Sequence, residues 1–116
     1  MYRVLKRDGS MMEFHIAKIG NAITKAFEAV GRQYHPSVIE LLALRVTAEF
    51  EPKIRNDLIS VEDIQDCVER VLSEAGYSDV AKAYILYRKQ REKLRNVGST
   101  LLNYKELVDN YLKIND

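Results

Sequence analysis

VLKRDGSMMEF, residues Val4–Phe14, sets two cations, a turn-forming pair and a carboxylate between apolar flanks. Asp8-Gly9 between β-compatible residues is a two-residue hairpin signal, because a type I′ turn needs positive φ at both central positions and this pair tolerates it. The chain is therefore expected to open with two short strands, and Lys6 and Arg7 to ride on a rigid arm. Charges at such a place keep a strand edge from pairing with another chain. They also suit an anion, and the segments beyond the hairpin bear on which role holds.

Helices come next. Ile16, Ile19, Ile23, Phe27 and Val30 recur at steps of three and four, with Ala22 and Ala26 beside them and Gly31 as a stop. A second helix is expected from near Pro36, which suits a first turn, with Val38, Leu41, Leu42 and Val46 inward and Pro52 at its end. In LISVEDIQDCVERVLSEAGY, Ser60 is the expected N-cap and Asp63 holds the capping-box position, while Ile64, Val68, Val71 and Ala75 form the apolar stripe and Gly76 terminates. Ser78 or Asp79 is expected to cap a fourth helix with Val80, Ala83, Tyr84 and Tyr87 on one side. A break at Asn96–Ser99 then precedes a fifth amphipathic segment over about Leu101–Leu112.

The 116 residues are 47% hydrophobic and 30% charged, enough to bury a core, and the net charge of +1 gives no global pull toward nucleic acid or an anionic membrane. Cys67 is the single cysteine, so neither an intramolecular disulfide nor a cysteine zinc site can form, and a reducing compartment, the cytoplasm, is expected. No apolar run approaches a membrane span, and no signal-peptide core follows the N-terminal basic residues.

Catalytic constellations are hard to assemble. Glu62, Asp63, Asp66 and Glu69 read as the solvated face of an amphipathic helix, His15 and His35 lack partner ligands, and Cys67 reads as a core thiol. There is no Walker-type glycine loop and no GxGxxG. The basic groups offer another route to a phosphate: Lys6 and Arg7 on the hairpin, Lys18 in the first turn of the first helix, and Arg88 and Arg91 late in the fourth. Cations on rigid elements together with helix N-terminal amides hold a triphosphate well. A base would then slot between the hairpin and the start of the first helix, with Ile64 as a lid and Tyr87 nearby, one arrangement among several.

VLKRDGSMMEFHIAKIGNAI, ISVEDIQDCVERVL and VAKAYILYRKQR, in that order and spacing, resemble the ATP-cone, the nucleotide-sensing domain at the N-terminus of many ribonucleotide reductases. The resemblance covers about Tyr2 to Arg95. It implies an α+β, mostly α fold in which a β-hairpin or small sheet caps a four-helix bundle. ATP (activator) or dATP (inhibitor), with Mg2+ as a companion ion, would bind between them.

Residue by residue, the resemblance places Val4, Lys6 and Arg7 over the base and on phosphate. It places Lys18 on phosphate and Ile19 against adenine, with Asn21 and Ala22 on the same face. Val61, Ile64 and Gln65 would close over the base, and Tyr87 and Arg91 would supply an aromatic and a cation from the fourth helix. His15 stands where the family more often has Asp or Asn near the ribose, and Met12 where some members have Glu.

The tail from Asn96 resembles the linker into the catalytic barrel of anaerobic ribonucleoside-triphosphate reductases. The expected division is thus an ATP-cone over 1–95 and a linker helix over 96–116, a regulatory domain rather than a catalyst. Its expected partners are adenine nucleotides, a reductase catalytic domain and further copies of itself. The hairpin with the start of the first helix is the expected moving part, being small, carrying Lys6, Arg7 and Lys18, and having few core contacts of its own. Two other functions stand beside this one. RKQREKLR holds five cations and one acid, and an ATP-cone also occurs in a bacterial transcriptional repressor, but the zinc ribbon of that repressor needs cysteines that are absent here. A helical adaptor without a ligand is the other.

Overall fold

A computed structural model describes the backbone of residues 2–103 and the side chains of residues 2–93. Strand β1 (Arg3–Leu5) runs antiparallel to β2 (Met11–Glu13), with Val4 opposite Met12. The hairpin is present, but its turn differs from the expected type I′. Gly9 N–H donates to Lys6 O at 3.0 Å and Lys6 N–H to Ser10 O at 2.8 Å, so Arg7 and Asp8 are the central pair. Only Gly9 (φ 88°) takes positive φ, which makes a three-residue loop of the kind that ends in a left-handed glycine.

The pair with positive φ at both positions is Asn56-Asp57 (φ 53° and 58°), between Arg55 and Leu58, whose N–H and C=O groups bond one another at 3.0 Å in both directions. That turn leads into β3 (Leu58–Ser60), which pairs parallel with β1, so the sheet order is β2-β1-β3 and the first strand is the central one. Val4 and Ile59 are both buried. The rings of Tyr2, Phe14 and Phe50 lie 4.9 to 5.9 Å apart, fastening the hairpin to the end of the second helix. The hairpin is thus better anchored than expected.

Helix α1 (Ile16–Ala29) buries Ile19, Ile23, Ala26 and Phe27, whereas Ile16 and Val30, at its two ends, are exposed. Helix α2 (Pro36–Phe50) starts at His35, whose side chain accepts the Ser37 N–H at 3.1 Å, and it passes into a short 3-10 turn at Glu51–Lys53. Its inner face is Ile39, Leu42, Ala43, Val46 and Phe50. Leu41, expected inward, is 60% exposed: α2 carries large apolar residues, Leu41 and Leu44, on its exposed side as well as on its buried one, and periodicity alone does not pick the inner stripe.

Helix α3 (Val61–Glu74) is capped as expected: Ser60 Oγ accepts the Asp63 N–H at 3.1 Å. Ile64, Cys67, Val68, Val71 and Leu72 are buried, and burial pushes the Cys67 thiol pKa up, as befits a core thiol. Helix α4 (Ser78–Asn103) holds Ser78 and Asp79 inside its first turn rather than before it, and Val80, Ala81 and Tyr84 face the core. It runs on through Asn96–Ser99, where a break was expected. One glycine in a helix costs about 1 kcal/mol, too little to end a long one. The remainder of the expected fifth segment lies outside the described residues.

The chain divides into two units at Ile85/Leu86. The first holds the sheet, α1 to α3 and the start of α4; the second holds the rest of α4. Among the described residues no helix is long and apolar enough to cross a membrane.

Candidate functional site

The hairpin loop raises Arg7 off the end of β1, and its guanidinium reaches α3. Arg7 Nη2 donates to Gln65 Oε1 at 3.2 Å, and Nε stands 3.5 Å from Glu62 Oε1. Two residues expected at the site, Arg7 and Gln65, are therefore in direct contact. The loop behind Arg7 is braced by Asp8, whose Oδ1 accepts the Ser10 hydroxyl at 2.6 Å and the Ser10 N–H at 2.9 Å. Those bonds, the hydroxyl first, hold the Asp8 carboxyl pKa below the ordinary aspartate range.

Met12 and Lys18 also meet, with Lys18 Nζ 3.7 Å from Met12 Sδ. Lys18 lies in the first turn of α1, and the helix end there is open: His15 is extended (φ −131°), exposed, and makes no side-chain capping bond. Lys6 is exposed at the start of the loop. Among the described residues, neither Lys6 nor Lys18 forms a salt bridge. Cations from the hairpin and from α1 are thus presented to solvent beside two helix N-termini, which suits an anion of several charges.

The apolar residues divide in two. Val4, Ile19 and Ile64 are 8%, 6% and 7% exposed and belong to the common core. Met12, Ala22 and Val61 are half-buried at its margin, and Asn21 is exposed. The surface left to a flat ligand is therefore this margin. A concavity of about 370 Å³ lined by Tyr2, Arg3, Met11, Met12 and Glu13 takes in only Met12 of the expected set. Tyr87 and Arg91 belong to the second unit, where the Arg91 guanidinium carbon lies 5.9 Å from the Tyr87 ring centroid. Among the described residues no group of three or more His, Cys, Asp or Glu side chains is placed to hold a metal.

Glu62 is the contact that sequence reasoning missed. A carboxylate in a helix first turn reads as solvated, and only the long-range approach of Arg7 marks it out.

The family model described as ATP cone domain matches residues 2–93. The chain is 39% identical over 99 residues to a vitamin B12-dependent ribonucleoside-diphosphate reductase of Mycobacterium tuberculosis, covering 85% of this chain and 14% of that protein. It is 40% identical over 98 residues to a ribonucleoside-diphosphate reductase subunit alpha of Chlamydia pneumoniae, covering 79% of this chain and 9% of that protein. It is 37% identical over 100 residues to an anaerobic ribonucleoside-triphosphate reductase of Haemophilus influenzae, covering 86% and 14%. The chain therefore spans a small part of the length of these relatives. It belongs to the ATP cone domain family.

Proposed function

We propose, with membership of the ATP-cone family as the premise, that this chain is the effector-binding domain of a ribonucleotide reductase. It takes ATP as activator and dATP as inhibitor and passes their difference to a catalytic domain. The observation that carries this reading is the Arg7–Gln65 contact, which puts a cation of the hairpin at the N-terminal part of α3. The open end of α1 with Lys18 supports it.

On this reading Lys6, Arg7 and Lys18 hold the phosphates, and any Mg2+ rides on the phosphates themselves. Val4, Ile19 and Ile64 back the adenine, which touches the margin formed by Ala22 and Val61 and lies under Gln65. The ribose faces Met12, His15 and Asn21. ATP and dATP differ by one hydroxyl, so the switch rests on that part of the site, and a coupling of about 1 to 3 kcal/mol is typical of such regulation.

Calorimetric titration of the purified chain with ATP, dATP, GTP and CTP tests the binding, and adenine nucleotides are expected to win. Equal affinity for all four would reduce the site to a general polyphosphate patch. Sedimentation of the domain joined to a reductase catalytic domain, with activity assayed under saturating ATP and then dATP, tests the switch. Identical states and identical activities would abandon it.

A further inference from the structure

Glu62 and Gln65 stand three residues apart on one face of α3, and both meet the same guanidinium. The Arg7 side chain is 19% exposed and that of Glu62 is 58%, so the carboxylate is the exposed partner of a mostly covered cation. Glu62 also lies in the first turn of α3, where the helix dipole favours negative charge. A fixed guanidinium and a helix N-terminus are the two attractions that a phosphoryl group would use at this place.

We infer that Glu62 is a stand-in for phosphate: in the ligand-free protein its carboxylate occupies the edge of Arg7 that a polyphosphate takes over on binding, and by competing for that cation it lowers the affinity. The inference rests on the reading of this site as nucleotide-binding. Two anions side by side on one guanidinium edge repel, and the exposure of Glu62 leaves its carboxylate free to swing into water when the ligand arrives. An ion pair this exposed is weak, so the competition is a matter of a few-fold in affinity rather than of orders of magnitude.

Glu62→Gln removes the charge while keeping the size of the side chain. In calorimetric titrations of the whole chain, the variant is expected to bind ATP and inorganic tripolyphosphate about two- to fivefold more tightly than the parent. Glu40→Gln, which removes the same charge from the exposed side of α2, is expected to leave both affinities unchanged. The Arg7 Nε–H resonance gives the direct readout. It should differ between parent and Glu62→Gln in the free proteins and nearly coincide once both are saturated with ATP. Equal or weaker binding by Glu62→Gln, an equal gain in Glu40→Gln, or an Arg7 resonance that still depends on Glu62 with ATP bound would each overturn the inference. Absence of ATP and tripolyphosphate binding in parent and variant alike is a separate result, which removes the nucleotide reading and this inference with it.

Discussion

Arg7 and Gln65 stand 58 residues apart in the chain and 3.2 Å apart at Nη2 and Oε1. The bond ties the hairpin tip to a helix made much later. A part-buried hydrogen bond of this kind contributes about 0.5 to 1.5 kcal/mol. A double-mutant cycle of Arg7→Ala and Gln65→Ala, read by denaturant unfolding, should return a coupling energy in that range. A coupling near zero would mean that the tip is held by other contacts.

Among the described residues the Lys18 side chain makes one hydrogen bond, a weak one to the Met12 sulfur, and it is exposed. Lys18→Ala should therefore leave the melting temperature of the ligand-free protein nearly unchanged. Loss of a charge-assisted contact to phosphate, worth roughly 1.5 to 3 kcal/mol, should weaken ATP about tenfold or more. ATP affinity equal to that of the parent would take Lys18 out of the site.

Ser60 closes α3 by accepting the Asp63 N–H. Ser60→Ala removes that acceptor at a cost of about 1 kcal/mol. In a domain of this size the melting temperature should fall by roughly 4 to 8 °C. Ser60→Asp should restore most of it, which separates loss of the cap from loss of packing.

Asn56 holds a left-handed backbone at φ 53°. Asn56→Ala forces a Cβ without a local hydrogen-bonding group into that conformation and should cost about 1 kcal/mol, whereas Asn56→Gly should cost nothing or stabilise. Thermal melts of the pair decide it. Equal melting temperatures would show that the turn relaxes when its residue changes.

The Asp8 carboxyl titrates below its ordinary range because the Ser10 hydroxyl and amide donate to it. A lowered folded-state pKa contributes stability that is fully present above the unfolded value, about 3.9, and is lost as pH falls through the folded value. The hairpin loop should thus loosen in acid. Ser10→Ala removes the larger of the two bonds, so NMR titration of the Asp8 carboxyl carbon should move back toward the ordinary range. An unchanged midpoint would show that Ser10 is not what holds it.

The helices were legible because α1 and α3 each bury one stripe: Ile19, Ile23 and Phe27 in the first, Ile64, Val68 and Val71 in the second. Leu41 misled because α2 carries large apolar residues, Leu41 and Leu44, on its exposed side as well as on its buried one. The resemblance allowed a small sheet, but β3 could not be placed from the residues, because Leu58–Ser60 is three residues long and runs straight into a helix cap, too short to show alternation. The residue types of Asp8-Gly9 point to a left-handed pair there, yet Asn56-Asp57 adopts it, since the number of residues between paired strands decides turn type. Of the site, the cations were legible as charges near a hairpin, but no spacing rule brings Arg7 onto Gln65. That needed the family pattern, and Glu62 needed coordinates.

The sheet order β2-β1-β3 places the first strand to be synthesised between one neighbour that follows at once and another that follows only after α1 and α2. The pairing of β1 with β2 is local, but the parallel edge of β1 has its partner only in Leu58–Ser60, more than fifty residues further along the chain. Closing that loop costs entropy that no local contact returns. The central strand is thus the one whose two partners lie furthest apart in sequence, and a substitution or insertion that disturbs Arg3–Leu5 strikes the middle of the sheet and not its rim.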